Sequence, residues 1–356
     1  MLLESWSFNY VDALAGSHFG VTPNFDALVK QSLSFTRAYS AGQRSIEGVQ
    51  ATLTGVPRLI GMPHLGVGLE LSSISRLGAI AHRHGYRTLF TQSAHRGSFR
   101  MYAIARSAGF EEYYGMEDIP LLLDYPDAKA SDFGWDYDTL MFVSTKLAQT
   151  SKPFLAYVYT GTTHEPFTRL PARFEKRPPG NLSEDGFLNT LYYADWSLGE
   201  FMKAAEKAAW FKNTIFIFVA DHPLGKFGVK NTLDRFHVPL LIYAPGLIKP
   251  GQNDTVSSQL DLFPTMMDLL GFEDDFSALG DSLLRKKDGY ALMTAGSIVG
   301  IVGEDGYLTH SLKNRLETGA LGAPPVPAYY DDLEKKLLAT DQTVYELLQS
   351  NRWAPP

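Results

Sequence analysis

The chain has no cysteine. That removes disulfide frameworks and thiol catalysis, but it leaves the compartment open, because an extracytoplasmic protein can do without cysteine. No stretch approaches the roughly 20 consecutive apolar residues that span a bilayer, and no secretory leader pattern is visible. Positive charge is in deficit: 32 Lys and Arg face 39 Asp and Glu, for a net charge of −7. The basic residues are scattered, which argues against a nucleic-acid partner. There is no internal repeat and no low-complexity tract. What is present is apolar substance: 45% of 356 residues are hydrophobic, enough for one large domain, or one domain and an appendage. The opening Met1-Leu2-Leu3-Glu4 reads as the end of a buried strand that starts upstream. On that expectation a leader or anchor was cut away, and membrane association runs through a segment absent from this chain.

Near-continuous apolar runs predict strands at 1–3, 88–91, 154–159, 215–220 and 238–243, in the style of strands covered on both faces. Helical patterns predict helices at 24–34, 45–54, 73–84, 101–108, 136–149, 189–208 and 259–270. Pro23-Asn24 is a start signal, and Gly85 and Gly109 are stop signals suited to left-handed C-caps. The alternation predicts an α/β fold with a mostly parallel central sheet between helices. Beyond about Leu270 the pattern changes. Residues 298–303 and 307–310 flank Glu304-Asp305-Gly306 as a hairpin, 318–327 is a Gly/Pro-rich loop, and 330–349 is a charged amphipathic helix. We therefore expect a catalytic domain over 1–275 and a smaller α+β subdomain over 276–356.

Ligands collect where the strands of such sheets end. Asp221-His222 directly follows the run 215–220, and a carboxylate beside an imidazole suits a divalent cation. Taken alone, that pair reads equally well as a cap and a surface histidine. Glu4 follows Leu2-Leu3, His164 follows the strand 154–159, and Ser45 opens a helix after Gly42-Gln43-Arg44. One sheet edge thus offers two carboxylates, two imidazoles and a hydroxyl. Ser45 is either an ordinary N-cap or a nucleophile helped by the positive end of its helix. Arg44 is either an anion partner or a solvated charge.

An ordered set of segments resembles the sulfatase / alkaline-phosphatase superfamily. They are Leu2-Leu3-Glu4-Ser5, Thr22-Pro23-Asn24-Phe25-Asp26-Ala27-Leu28, Phe35-Thr36-Arg37-Ala38-Tyr39, Gly161-Thr162-Thr163-His164-Glu165-Pro166-Phe167, Val219-Ala220-Asp221-His222, His237-Val238-Pro239-Leu240-Leu241-Ile242-Tyr243 and Gln259-Leu260-Asp261-Leu262-Phe263-Pro264-Thr265. Gly42-Gln43-Arg44-Ser45-Ile46-Glu47-Gly48 resembles the nucleophile segment of the lipoteichoic acid synthase and phosphoglycerol transferase branch. Carried over, the resemblance implies Glu4, Asp221, His222 and Ser45 as ligands of one divalent metal ion, Mn²⁺ foremost, with Mg²⁺ or Zn²⁺ as alternatives. It implies Ser45 as nucleophile and His164 as head-group ligand or leaving-group acid. Ser98-Phe99-Arg100 resembles the stretch over the donor, so Phe99 and Arg100 become substrate contacts, with His95 and Arg44 beside them.

Sulfatases that convert a residue to formylglycine carry Pro or Ala two positions on and Arg four positions on. Here those positions hold Glu47 and Val49, so Ser45 is expected to stay a serine. This favours phosphoryl transfer through a phosphoserine diester over sulfate hydrolysis. The resemblance implies a phospholipid head-group donor, a glycan or polymer acceptor, and work outside the cytoplasm. A phosphodiesterase or sulfuric ester hydrolase, a phosphoethanolamine transferase, and an inactive binding domain are the rival readings.

Overall fold

The computed structural model describes residues 1–127 and 133–355. Its centre is an eight-stranded sheet in the order Glu112–Tyr114, Arg87–Gln92, Phe154–Tyr159, Leu2–Leu3, Phe216–Ala220, Leu240–Tyr243, Leu33–Phe35, Gly251–Asn253. Leu240–Tyr243 runs antiparallel to both its neighbours and the other pairings are parallel, so the mostly parallel α/β expectation holds. Leu2–Leu3 lies between the two longest apolar strands, with Leu2 in register with Tyr159 on one side and Val219 on the other.

Pleating then sorts the side chains, since residues two apart share a face and register partners point the same way. Phe216 and Phe218 pack on Phe201 and Phe25, from the helices Glu184–Ala205 and Pro23–Val29. Leu155, Tyr157 and Tyr159 take the opposite face. There Leu155 joins Leu77, Phe263 and Met267, and the Tyr157 hydroxyl lies 2.8 Å from Thr52 Oγ1 on the helix Ser45–Thr54.

The expected elements mostly form. Ser45–Thr54 and Phe154–Tyr159 match residue for residue, and Gly85 and Gly109 adopt positive φ of 79° and 91°. Some need correction. The helix expected over 24–34 stops at Val29, and Leu33–Phe35 forms a strand between Leu240–Tyr243 and Gly251–Asn253. The helix expected from Ser73 starts at Leu77, and the one expected from Asn189 starts at Glu184 behind a Ser183 cap. Part of the expected loop 318–327 is strand, because Arg315–Ala320 closes a four-stranded antiparallel sheet.

That second sheet runs Ala291–Ala295, Ile298–Val302, Gly306–His310, Arg315–Ala320. Leu333 and Leu337 of the last helix, Pro327–Gln349, pack on it together with Ala41 and Ala51. Val344, Leu348 and Trp353 join the main core instead. Thr294 reaches back to the first sheet's loops: its N–H donates to Ala41 O at 3.0 Å and its hydroxyl to Arg58 O at 2.9 Å. Among the described residues, no helix is long and apolar enough to cross a membrane.

Candidate functional site

Three strands end side by side at one edge of the central sheet. Leu2 and Val219 are in register with each other, so Glu4 and Asp221 each stand two residues beyond a paired position, on the face that also carries Tyr159. The helix Ser45–Thr54 starts over this face. Gly48 lets it sit there, because a Cβ at that position would lie 2.6 Å from Asp221 O. Gln259 fastens the junction: its amide donates to Ala220 O and Asp221 O, both at 2.7 Å, and its oxygen accepts from Ala41 N at 2.9 Å.

The structure brings Glu4, Asp221, His222 and Ser45 together. One atom each of Glu4, Asp221 and His222 lies within 4.8 Å of the other two. Ser45 Oγ is 3.3 Å from Glu4 Oε2 and 3.3 Å from His222 Nε2. Ser45 is not the cap of its helix. Arg44 occupies the capping position, and the Glu47 carboxylate accepts from Gln43 N at 3.0 Å and Arg44 N at 3.1 Å. The serine hydroxyl is left to the cluster. His222 Nδ1 faces Pro223 O at 2.8 Å, a carbonyl that accepts and so keeps the ring proton on Nδ1. Nε2, with its lone pair, is turned toward Ser45.

Both carboxylates are fully buried. Asp221 Oδ1 accepts from Ser5 N and His222 N, each at 2.8 Å. Glu4 Oε1 accepts from Ser5 Oγ at 2.6 Å. The Tyr159 phenol meets the remaining oxygens, donating to Glu4 Oε2 and lying 3.2 Å from Asp221 Oδ2. Burial, then the Glu4 charge, pushes Asp221 up to about 7. Burial also acts to raise Glu4, but His222, His164 and the hydrogen bonds from Ser5 and Tyr159 outweigh it and hold Glu4 below the usual glutamate value. Burial opposes charge on His222, and the two carboxylates reverse this and raise it. Two buried carboxylates, an imidazole with a directed lone pair and a hydroxyl fit a divalent cation of the Mn, Mg or Zn kind.

His164 stands at the rim, half-buried, its ring stacked on Phe133 at 4.2 Å. Phe133 stacks in turn on Phe99 at 5.7 Å, so Phe99 connects to the site through a residue that the sequence did not point to. Arg100 donates to Gly66 O at 2.6 Å. His95 faces Glu117 at 3.1 Å and is exposed, and Arg44 is exposed beside Ser45. The structure joins none of these last three to the carboxylate group by a contact. A cavity of about 570 Å³, lined by Leu155, Trp210 and Met266 among others, opens on the apolar body of the sheet and contains none of the clustered residues.

The family model described as Sulfatase matches residues 1–272. The chain belongs to the sulfatase family. Within that family it is 25% identical over 280 residues to phosphoglycerol transferase I of Citrobacter koseri, covering 74% of this chain and 36% of the relative. It is 25% identical over 224 residues to lipoteichoic acid synthase 1 of Bacillus subtilis, covering 57% of this chain and 34% of the relative. This sulfatase-family chain thus spans about a third of the length of the curated relatives it matches. Its fold superposes on an alkaline phosphatase superfamily protein from Vibrio parahaemolyticus with a TM-score of 0.84 at 23% identity, covering 100% of this chain and 87% of the other. The resemblance read from the sequence is borne out at the level of family and fold.

Sequence reasoning missed Tyr159, Gln259, Ser5 and Phe133 as members of the site. Gln259 and Ser5 lie inside quoted motifs, so a signal existed. Tyr159 and Phe133 carried none, because their place depends on register and on a stack between distant loops.

Proposed function

We propose that this chain is the catalytic head of a metal-dependent transferase that moves a phosphoglycerol group from a phospholipid to an acceptor hydroxyl on a glycan or polymer. The observation that carries this reading is the Ser45 hydroxyl, uncommitted to capping, 3.3 Å from a carboxylate and from an imidazole at the start of a helix. Helix N-termini favour anions such as phosphate. A bound divalent cation, Mn²⁺ first among the candidates, would lower the hydroxyl pKa and polarise a phosphoryl oxygen. Glu4, Asp221, His222 and Ser45 would hold it.

Ser45 Oγ, its hydroxyl proton already released to solvent, attacks the donor phosphorus as an alkoxide and is later displaced as one. A P–O bond to Ser45 forms and the bond to diacylglycerol breaks. His164, its Nδ1 turned to the Glu165 carbonyl, gives the leaving oxygen a proton from Nε2. The acceptor hydroxyl then returns a proton to His164, attacks the same phosphorus and releases Ser45. Phe99 and Phe133 wall the donor side, with Arg100, His95 and Arg44 as further head-group contacts. Positioning and charge stabilisation supply most of the acceleration, as in other phosphoryl transfers. The head works at the outer face of a membrane, where donor and acceptor meet. Glu47 supports transfer over formylglycine chemistry: it sits where that modification needs Pro or Ala, and it is occupied in capping the helix.

Intact-mass analysis after incubation with phosphatidylglycerol and Mn²⁺ tests the reading. A glycerophosphoryl adduct that disappears in Ser45→Ala is the expected result. Turnover should fall by about 10³-fold or more in that variant. Sulfate release from an aryl sulfate, with no adduct from any phospholipid, would replace transfer with hydrolysis.

A further inference from the structure

We propose that Tyr159 is a positioning residue of the cation site, whose phenol holds the Glu4 and Asp221 carboxylates in the orientation that a divalent ion needs. This rests on the metal-site reading above and goes beyond the ligand set. Tyr159 is 1% exposed, and it ends the strand next to the one that delivers Glu4. Its hydroxyl touches Glu4 Oε2 and lies 3.2 Å from Asp221 Oδ2. The other oxygen of each carboxylate is already held, Oε1 by Ser5 Oγ and Oδ1 by the Ser5 and His222 amides. Each carboxylate is therefore contacted at both oxygens, and the phenol, giving its one proton to Glu4 Oε2 and lying against Asp221 Oδ2, touches both.

Without it, each carboxylate could turn about its last bond, and Glu4 Oε2 would keep only the longer contact to Ser45 Oγ at 3.3 Å. A cation would then have to order both groups as it bound. Outer partners of metal ligands commonly set affinity in this way, by about 10- to 100-fold. The strand carries its own control. Tyr157 is two residues earlier on the same face, but its hydroxyl pairs with Thr52 Oγ1 at 2.8 Å and is not among the carboxylate partners.

The test is calorimetric titration of Mn²⁺ into the parent, Tyr159→Phe and Tyr157→Phe at one pH and ionic strength. Tyr159→Phe is expected to bind about 10- to 100-fold more weakly, and Tyr157→Phe like the parent. Affinity within about threefold of the parent in Tyr159→Phe overturns the inference while leaving the metal site standing. If Tyr159→Phe does not fold, the parent and Tyr157→Phe still decide. Mg²⁺ should produce a saturable tyrosine difference spectrum in both, with the midpoint of a calorimetric Mg²⁺ titration of the same protein, and its absence at saturating Mg²⁺ overturns the inference. A parent that binds neither ion overturns both this inference and the metal-site reading.

Discussion

The two flanks of His164 are built differently. On one side Glu4, Asp221, His222 and Ser45 hang from strand ends and a helix start, and Ser5, Tyr159 and Gln259 fix them by hydrogen bonds inside the protein. On the other side Phe99 is 56% exposed and leads outward from the Phe133 stack. Phe99 and Arg100 adopt left-handed backbone, with φ of 55° and 58°. That conformation costs non-glycine residues about 1 kcal/mol or more each. The carboxylate flank gets its geometry from the sheet, and the aromatic flank pays strain to present its side chains from a loop. Chemistry placed on strand ends tolerates little change, whereas recognition placed on loops can be retuned.

The difference can be pressed from both sides. Glu4→Gln strikes the rigid flank and should weaken Mn²⁺ binding by more than about 100-fold, past the range for outer partners. Calorimetry checks this, and affinity near that of the parent would remove Glu4 from the ligand set. His164→Ala sits between the flanks. It should lower kcat for a lipid donor by about 10²-fold, the low end for a lost general acid. With a nitrophenyl diester, whose leaving group needs no proton, the loss should shrink below about tenfold, and an equal loss on both substrates would reassign His164 to binding. Phe99→Ala strikes the loop flank. Loss of one aromatic contact, about 0.5–1.5 kcal/mol, should raise KM for the donor several-fold with kcat and Tm unchanged. A fall in kcat instead would mean that this flank, too, is part of the reacting geometry.

Much of the rigid flank was legible in the sequence, because each of its parts has a local signal. The run ending at Ala220 is apolar throughout, Ser45–Thr54 is closed by Gly55 at φ 63°, and the polar residues follow directly. Leu33–Phe35 shows why other parts were not. Its apolar spacing continues a helical pattern, and its strand identity comes from partners more than 200 positions away, at Ile242 and Gly251. Arg315–Ala320 is an exposed edge strand with polar residues, and it lacks the alternation that marks a half-buried one. Tyr159 was read as one more apolar strand residue. Its polar role follows from which two strands flank Leu2–Leu3, which no window of sequence contains.

The grip of Thr294 on Ala41 and Arg58 has a consequence for how the enzyme comes into being. The loop before the helix Ser45–Thr54 and the loop after it are both held by a residue made late in translation. A nascent chain can bury much of its first sheet, and Gln259 can already hold Ala41, before Thr294 emerges, yet Ser45 then stands on a segment that still lacks the clamp joining its two flanking loops. The last brace of the site would arrive after the bulk of the fold, and a shortened gene that kept Glu4, Ser45, Asp221 and His222 would still encode a serine without that brace.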